Sequence, residues 1–133
     1  MIVLDTHAWV WWLADPAKLT TRARRAIDRA ARGGDGVVVS SISVWEVAML
    51  VARGRLALTV DVAEWLQRAA AVPGVRFVPV DNAIALRAVR LPGFPHPDPA
   101  DRMIVSTALG EGASLVTADR RLRAYKPLKT LWD

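Results

Sequence analysis

Four stretches of the chain place a carboxylate where a strand ends or a helix begins. They are Asp5 in "IVLDTHAW", Glu46 in "SSISVWEV", Asp98 with Asp101 in "HPDPADRMI", and Asp119 in "LVTADRRL". Taken singly, most have a structural reading. Ser43 with Glu46 matches the S-x-x-E capping box, Asp98 before Pro99 reads as an N-cap, and Asp119 suits the cap of a short final helix. Asp101 is then a first-turn acid near a helix dipole. Asp5 differs, because it closes an apolar run where an unpaired charge is costly or must be neutralised. Two like charges about 4 Å apart repel by roughly 4 kcal/mol at an effective dielectric near 20, so gathered carboxylates need protons or a cation. The chain has no cysteine, which leaves oxygen and imidazole as ligands, and oxygen donors favour Mg2+ or Mn2+. The chemistry that best uses such a site is hydrolysis of a phosphodiester.

The elements that must bring these acids together alternate. Residues 1–5, "VVV" at 37–39, "RFVPV" at 76–80 and "SLVT" at 114–117 read as short buried strands, with "KTLW" a weaker fifth. Helical patterns cover 20–32, 42–53, "DVAEWLQRAAAV" with Val62, Trp65, Leu66 and Ala69 on one stripe, 82–90 and 100–111. Alternation of this kind implies a parallel sheet between helices, a three-layer α/β/α sandwich of one domain over residues 1–133. In a parallel sheet the strand ends and the starts of the returning helices share one edge, so Asp5, Glu46, Asp101 and Asp119 converge there. The stretch "LPGFPHPDP" at 91–99 is a loop beside that edge, barred from regular structure by its prolines.

The bulk properties narrow the partners. The chain has 133 residues, 53% hydrophobic and 23% charged, with a net charge of +5. Residues 18–32 carry Lys18, Arg22, Arg24, Arg25, Arg29 and Arg32 against Asp28 alone, and the tail is also basic. This balance suits a polyanion, although on charge alone a solvated helix face is the simpler reading. Absence of cysteine and of any long apolar run points to a cytoplasmic protein without a membrane span. There is no G-x-x-x-x-G-K for a P-loop enzyme. An aspartyl-phosphate phosphatase of the haloacid-dehalogenase kind is also excluded, because His7 stands where that pattern needs a second acid.

With these four segments in this order and these surroundings, the chain resembles the PIN-domain ribonucleases, and within them the VapC-type toxins of toxin–antitoxin pairs. The likeness spans nearly the whole sequence. It implies a PIN-like fold with a five-stranded parallel sheet, a Mg2+- or Mn2+-dependent endoribonuclease acting on single-stranded or loop RNA, a homodimer, and a cognate antitoxin that blocks the site. Carried over by position, Asp5, Glu46, Asp101 and Asp119 are the catalytic, metal-binding acids. Thr117, Arg102 and Arg120 are the expected substrate contacts, with Thr6 and Asp98 in supporting places and Asp98 outside the metal shell as a helix cap. His7 and His96 are read as packing or hydrogen-bonding residues, ahead of catalysis. Among the six tryptophans, Trp9, Trp12 and Leu13 form a buried stripe, while Trp11 and Trp45 are candidates to line a groove for an antitoxin helix or an RNA base. The competing reading is a non-catalytic RNA- or antitoxin-binding module on the same fold, against which the complete set of acids argues.

Overall fold

A computed structural model describes all 133 residues. Strands β1 (Ile2–Leu4), β2 (Val37–Ser40), β3 (Val75–Val78), β4 (Ser114–Val116) and β5 (Thr130–Leu131) form one parallel sheet in the order β3-β2-β1-β4-β5. Around it lie α1 (Thr6–Ala14), α2 (Thr21–Arg32), α3 (Ser41–Ala52), α4 (Val62–Ala70), α5 (Asn82–Val89), α6 (Pro99–Glu111) and the single turn α7 (Arg120–Arg123), with a 3-10 turn at Pro16–Lys18. This is the expected three-layer sandwich. The third strand is Val75–Val78 rather than 76–80, since Pro79 has no N–H to continue the ladder.

The β-branched runs are strands because both of their faces are covered. Val37 and Val39 pack on one side with Leu4, Trp9, Ile27, Val47 and Trp65, while Val38 packs on the other with Val3, Ile104, Leu115 and Leu122. Helix α2 contributes Ala23, Ile27 and Ala30 to the first slab and turns its arginines to solvent. Trp9 is fully buried, edge-on to Trp65 at 4.9 Å and Phe77 at 5.7 Å, and its Nε1 has no hydrogen-bond partner. Trp12 and Leu13 are only partly buried against the same slab. Gly74 is required before β3: its φ is +84°, and an added Cβ would stand 2.2 Å from the Ala31 carbonyl oxygen at the end of α2.

One topological feature positions the site. After β1 the chain builds outward through β2 and β3, then returns to the other side for β4 and β5. The crevice at such a reversal, between β1 and β4, lies at the carboxyl ends of the strands and is where open α/β sheets bind ligands. Asp5 follows β1 and Asp119 follows β4 soon after it.

Candidate active site

Asp5 begins α1 as its N-cap: one carboxylate oxygen, Oδ1, accepts from the Ala8 N–H at 2.8 Å. Asp98 does the same for α6, accepting from the Asp101 N–H at 3.0 Å, with Pro99 in the first turn and Asp101 two residues further. Asp119 caps α7 through Oδ1, which accepts from Arg121 N–H at 2.8 Å and Leu122 N–H at 3.3 Å. Its own N–H donates to the Thr117 hydroxyl at 3.0 Å. Capping and clustering are therefore not alternatives. A cap occupies one oxygen and fixes the direction of the other.

Asp5, Thr6, His7, Trp11, Glu46, Asp101, Ala118 and Asp119 line one cleft of about 300 Å³. The four acids arrive from four segments far apart in the chain. Glu46 reaches the cleft from the second turn of α3, which corrects its reading as half of a capping box. The helix starts earlier: Ser40 is the cap, accepting from the Ile42 N–H at 3.2 Å, and Ser43 is buried inside the helix. Ser43 instead shares a 2.8 Å hydrogen bond with the buried hydroxyl of Thr6, tying α3 to α1 beneath the acids.

The electrostatics show the cost of this gathering. Asp5 is 7% exposed, and burial pushes its carboxyl above the ordinary value of 3.8. The Thr117 hydroxyl, the Ala8 N–H and His7 oppose the shift, and Asp119 adds to it. Asp101 is pushed up to about 7, first by burial and then by the charges of Asp98, Glu46, Asp119 and Asp5. The surrounding carboxylates thus raise the affinity of Asp5 and Asp101 for a proton, or for any other cation.

Two further side chains join the group. His96, from the proline loop, lies with Asp101 and Asp119 so that one ligand atom of each falls within 4.8 Å of the others. Its Nε2 is 2.7 Å from Asp101 Oδ2, and Arg121 lies 3.3 Å from its Nδ1. A guanidinium only donates, so Nδ1 accepts and the proton sits on Nε2, which donates to the Asp101 carboxylate. The hydrogen-bonding reading of His96 holds. The contact with Arg121 went unread in the sequence because it depends on how the loop folds back.

The arginines beside the acids divide. Arg102, expected to hold phosphate, spends its guanidinium on main-chain carbonyls of the loop and of α5: Nε donates to His96 at 2.9 Å, Nη2 to Phe94 at 3.1 Å and Nη1 to Ala88 in the last turn of α5 at 3.0 Å. It also lies 5.3 Å from the centre of the Phe94 ring. We therefore assign Arg102 to fixing residues 94–96, and with them His96, rather than to substrate. Arg120 is exposed and makes no side-chain hydrogen bond. His7 is exposed on the cleft wall, 5.6 Å from the partly buried ring of Trp11. Trp45 is 57% exposed and borders an adjoining cavity with Ile42, Glu46, Met49, Asp98 and Pro99.

The family model described as PIN domain matches residues 2–127. Ribonuclease VapC22 of Mycobacterium tuberculosis is 40% identical, with 98% of each chain covered. Among solved structures, VapBC2 of Rickettsia felis bound to a DNA fragment from its promoter superposes with a TM-score of 0.70 at 18% identity, covering 100% of both chains. FitAcB of Neisseria gonorrhoeae superposes with a TM-score of 0.70 at 21% identity, covering 98% of this chain and 96% of that one.

Proposed function

This chain belongs to the PIN domain family, and from that premise we propose that it is the ribonuclease toxin of a toxin–antitoxin pair, hydrolysing phosphodiester bonds of single-stranded or loop RNA with Mg2+ or Mn2+. The observation that carries this reading is the cleft itself: Asp5, Glu46, Asp101 and Asp119 line one space, and the carboxyls of Asp5 and Asp101 are raised by burial and by neighbouring carboxylates. The relative named a ribonuclease supports the RNA substrate, and a structural neighbour solved as a toxin–antitoxin complex from Klebsiella pneumoniae, with a TM-score of 0.63 at 16% identity over 96% of this chain and 95% of that one, supports a cognate antitoxin as partner. A homodimer and a cytoplasmic location belong to the same proposal, and no helix is long and apolar enough to cross a membrane.

The donor set fits a hard divalent cation. Every acid in the cleft offers oxygen, and for Asp5 and Asp119 the backbone bonds engage Oδ1 and leave Oδ2. Asp5, Glu46, Asp101 and Asp119 would hold the ion, which when bound polarises water and offsets charge on the phosphate. The chain's own residues keep that set in place. Ser43 and Thr6 lock α3 against α1 below it, Thr117 fixes the turn that carries Asp119, and His96 holds Asp101 through Nε2. His96 is a positioning residue here, braced by Arg121. Asp98 supports the start of α6 without entering the cleft lining. Trp11, on the cleft wall, offers a face on which an unpaired base can stack.

Labelled RNA incubated with the protein and manganese tests the reading. We expect discrete products with the parent, none with EDTA, and none with Asp5→Asn at unchanged circular dichroism. Cleavage by Asp5→Asn at the parent's rate would remove Asp5 from the chemistry.

A further inference from the structure

The molecule holds a second concentration of like charge, on α2. Arg22, Arg25, Arg29 and Arg32 recur at i, i+3, i+7 and i+10, which at 3.6 residues per turn confines them to an arc of about 80° along about 15 Å of helix. The opposite face, Ala23, Ile27 and Ala30, is buried in the core. All four arginines are exposed, and no Asp or Glu side-chain carboxylate lies within 4.0 Å of any of them, although Arg22 meets a main-chain oxygen of Asp133, the last residue of the sequence, at 2.8 Å. Asp28, the one acid of the helix, directs its carboxylate to Trp12 Nε1 at 3.0 Å. Elsewhere this chain builds a solvated helix face the usual way, with Glu64 and Arg68 paired at i, i+4 on α4. Helix α2 forgoes such side-chain pairs, which leaves Arg25, Arg29 and Arg32 without a carboxylate partner, and a ridge of one sign complements a polyanion.

The ridge is joined to the acid cleft by aromatic side chains. The Thr20 hydroxyl, capping α2, donates to the Trp132 carbonyl, and Arg22 donates to the main-chain oxygen of Asp133 at 2.8 Å. The Trp132 ring lies 6.0 Å from that of Trp11, which lines the cleft beside Asp5. Lys18 adds an ammonium 6.0 Å from the Trp11 ring. The cleft alone repels a polyanion, so a strand entering it needs cations nearby.

Resting on the ribonuclease reading above, we propose that Arg22, Arg25, Arg29 and Arg32 form a phosphate track that carries the single-stranded RNA substrate away from the acid cleft, with Trp11 and Trp132 stacking bases at the junction. The guanidiniums neutralise backbone phosphates without reading sequence, so the track acts on affinity and salt dependence and leaves the choice of bond to the cleft.

The test compares the parent with the fourfold variant Arg22→Gln, Arg25→Gln, Arg29→Gln, Arg32→Gln on two RNAs, a 20-mer and a tetramer containing the same cleavage site. Binding of the 20-mer is measured in EDTA across salt concentration. Each phosphate contact contributes about 0.7 to the slope of log affinity against log salt, so the variant should lose about 2 to 3 from that slope. It should also bind the 20-mer at least tenfold more weakly at low salt, with thermal melting and tetramer cleavage as in the parent. A 20-mer affinity and slope equal to the parent's, with both RNAs still cut, would overturn the track alone. So would a variant that weakens binding of the antitoxin and leaves the RNA slope unchanged, which would give the ridge to an acidic protein segment. A parent that cuts neither RNA would instead sink the ribonuclease reading beneath it.

Discussion

The acid cleft and the α2 ridge each crowd charges of one sign, yet they are built in opposite ways. The carboxylates are buried or half-buried, and those of Asp5 and Asp119 are pinned by backbone N–H groups; burial first, and then poorly screened repulsion, raises Asp101 to about 7. The arginines are exposed on flexible stems, where water and salt weaken their repulsion and they adapt to whatever anion passes. Fixed, desolvated charges select a small cation by geometry. Mobile, solvated ones hold a long polyanion by number.

If that contrast is right, removing one charge from the cleft has opposite effects on activity and stability. Asp101→Asn should reduce RNA cleavage by at least about 100-fold, since even outer partners of metal ligands cost 10- to 100-fold. The same variant should melt at a higher temperature than the parent in EDTA at pH 8, because a repelling charge is gone. Equal melting would mean that the cleft carries no electrostatic strain. Next in size, Arg102→Leu strands two loop carbonyls and one at the end of α5 and should cost about 2–3 kcal/mol in urea unfolding. A cost near zero would show that the loop holding His96 is fixed by something else.

The pH dependence sharpens the comparison further. Asp101 titrates at about 7 in the fold against an ordinary 3.8, so the folded state keeps a proton that the unfolded chain has released. The stability from that proton is complete below the lower value and is lost as pH rises through the upper one. In EDTA, parent stability should therefore fall relative to Asp101→Asn between about pH 4 and pH 7. A flat difference across that range would contradict the coupling. Smallest of all, Trp45→Ser on the exposed face should change stability by less than about 0.5 kcal/mol. A larger loss would show Trp45 to be part of the core.

The positions of the acids were legible because topology does the work. Short apolar strands alternating with helices allow few arrangements other than a parallel sheet, and such a sheet brings Asp5 and Asp119 to one edge wherever they stand in the chain. The span of α3 was legible to within a residue, but its cap was not: Ser40, Ser41 and Ser43 all qualify in sequence, and the Ser40–Ile42 bond together with the buried Thr6–Ser43 contact shows that the cap stands a turn before the S-x-x-E pattern. The roles of Arg102, Arg121 and His96 were not legible for a different reason. Each depends on the path of residues 91–99, which turns Arg102 inward to three carbonyls and sets His96 between Arg121 and Asp101. Sequence spacing carries no information about such a fold-back, and a guanidinium next to an acid in sequence points wherever the loop directs it.

Anomalous diffraction from crystals of the protein soaked in manganese tests the central claim most directly. The account predicts a peak in the cleft within bonding distance of carboxylate oxygens from Asp5 and Asp101, and loss of that peak in Asp5→Asn. Manganese bound only outside the cleft, or bound there equally in the variant, would contradict it.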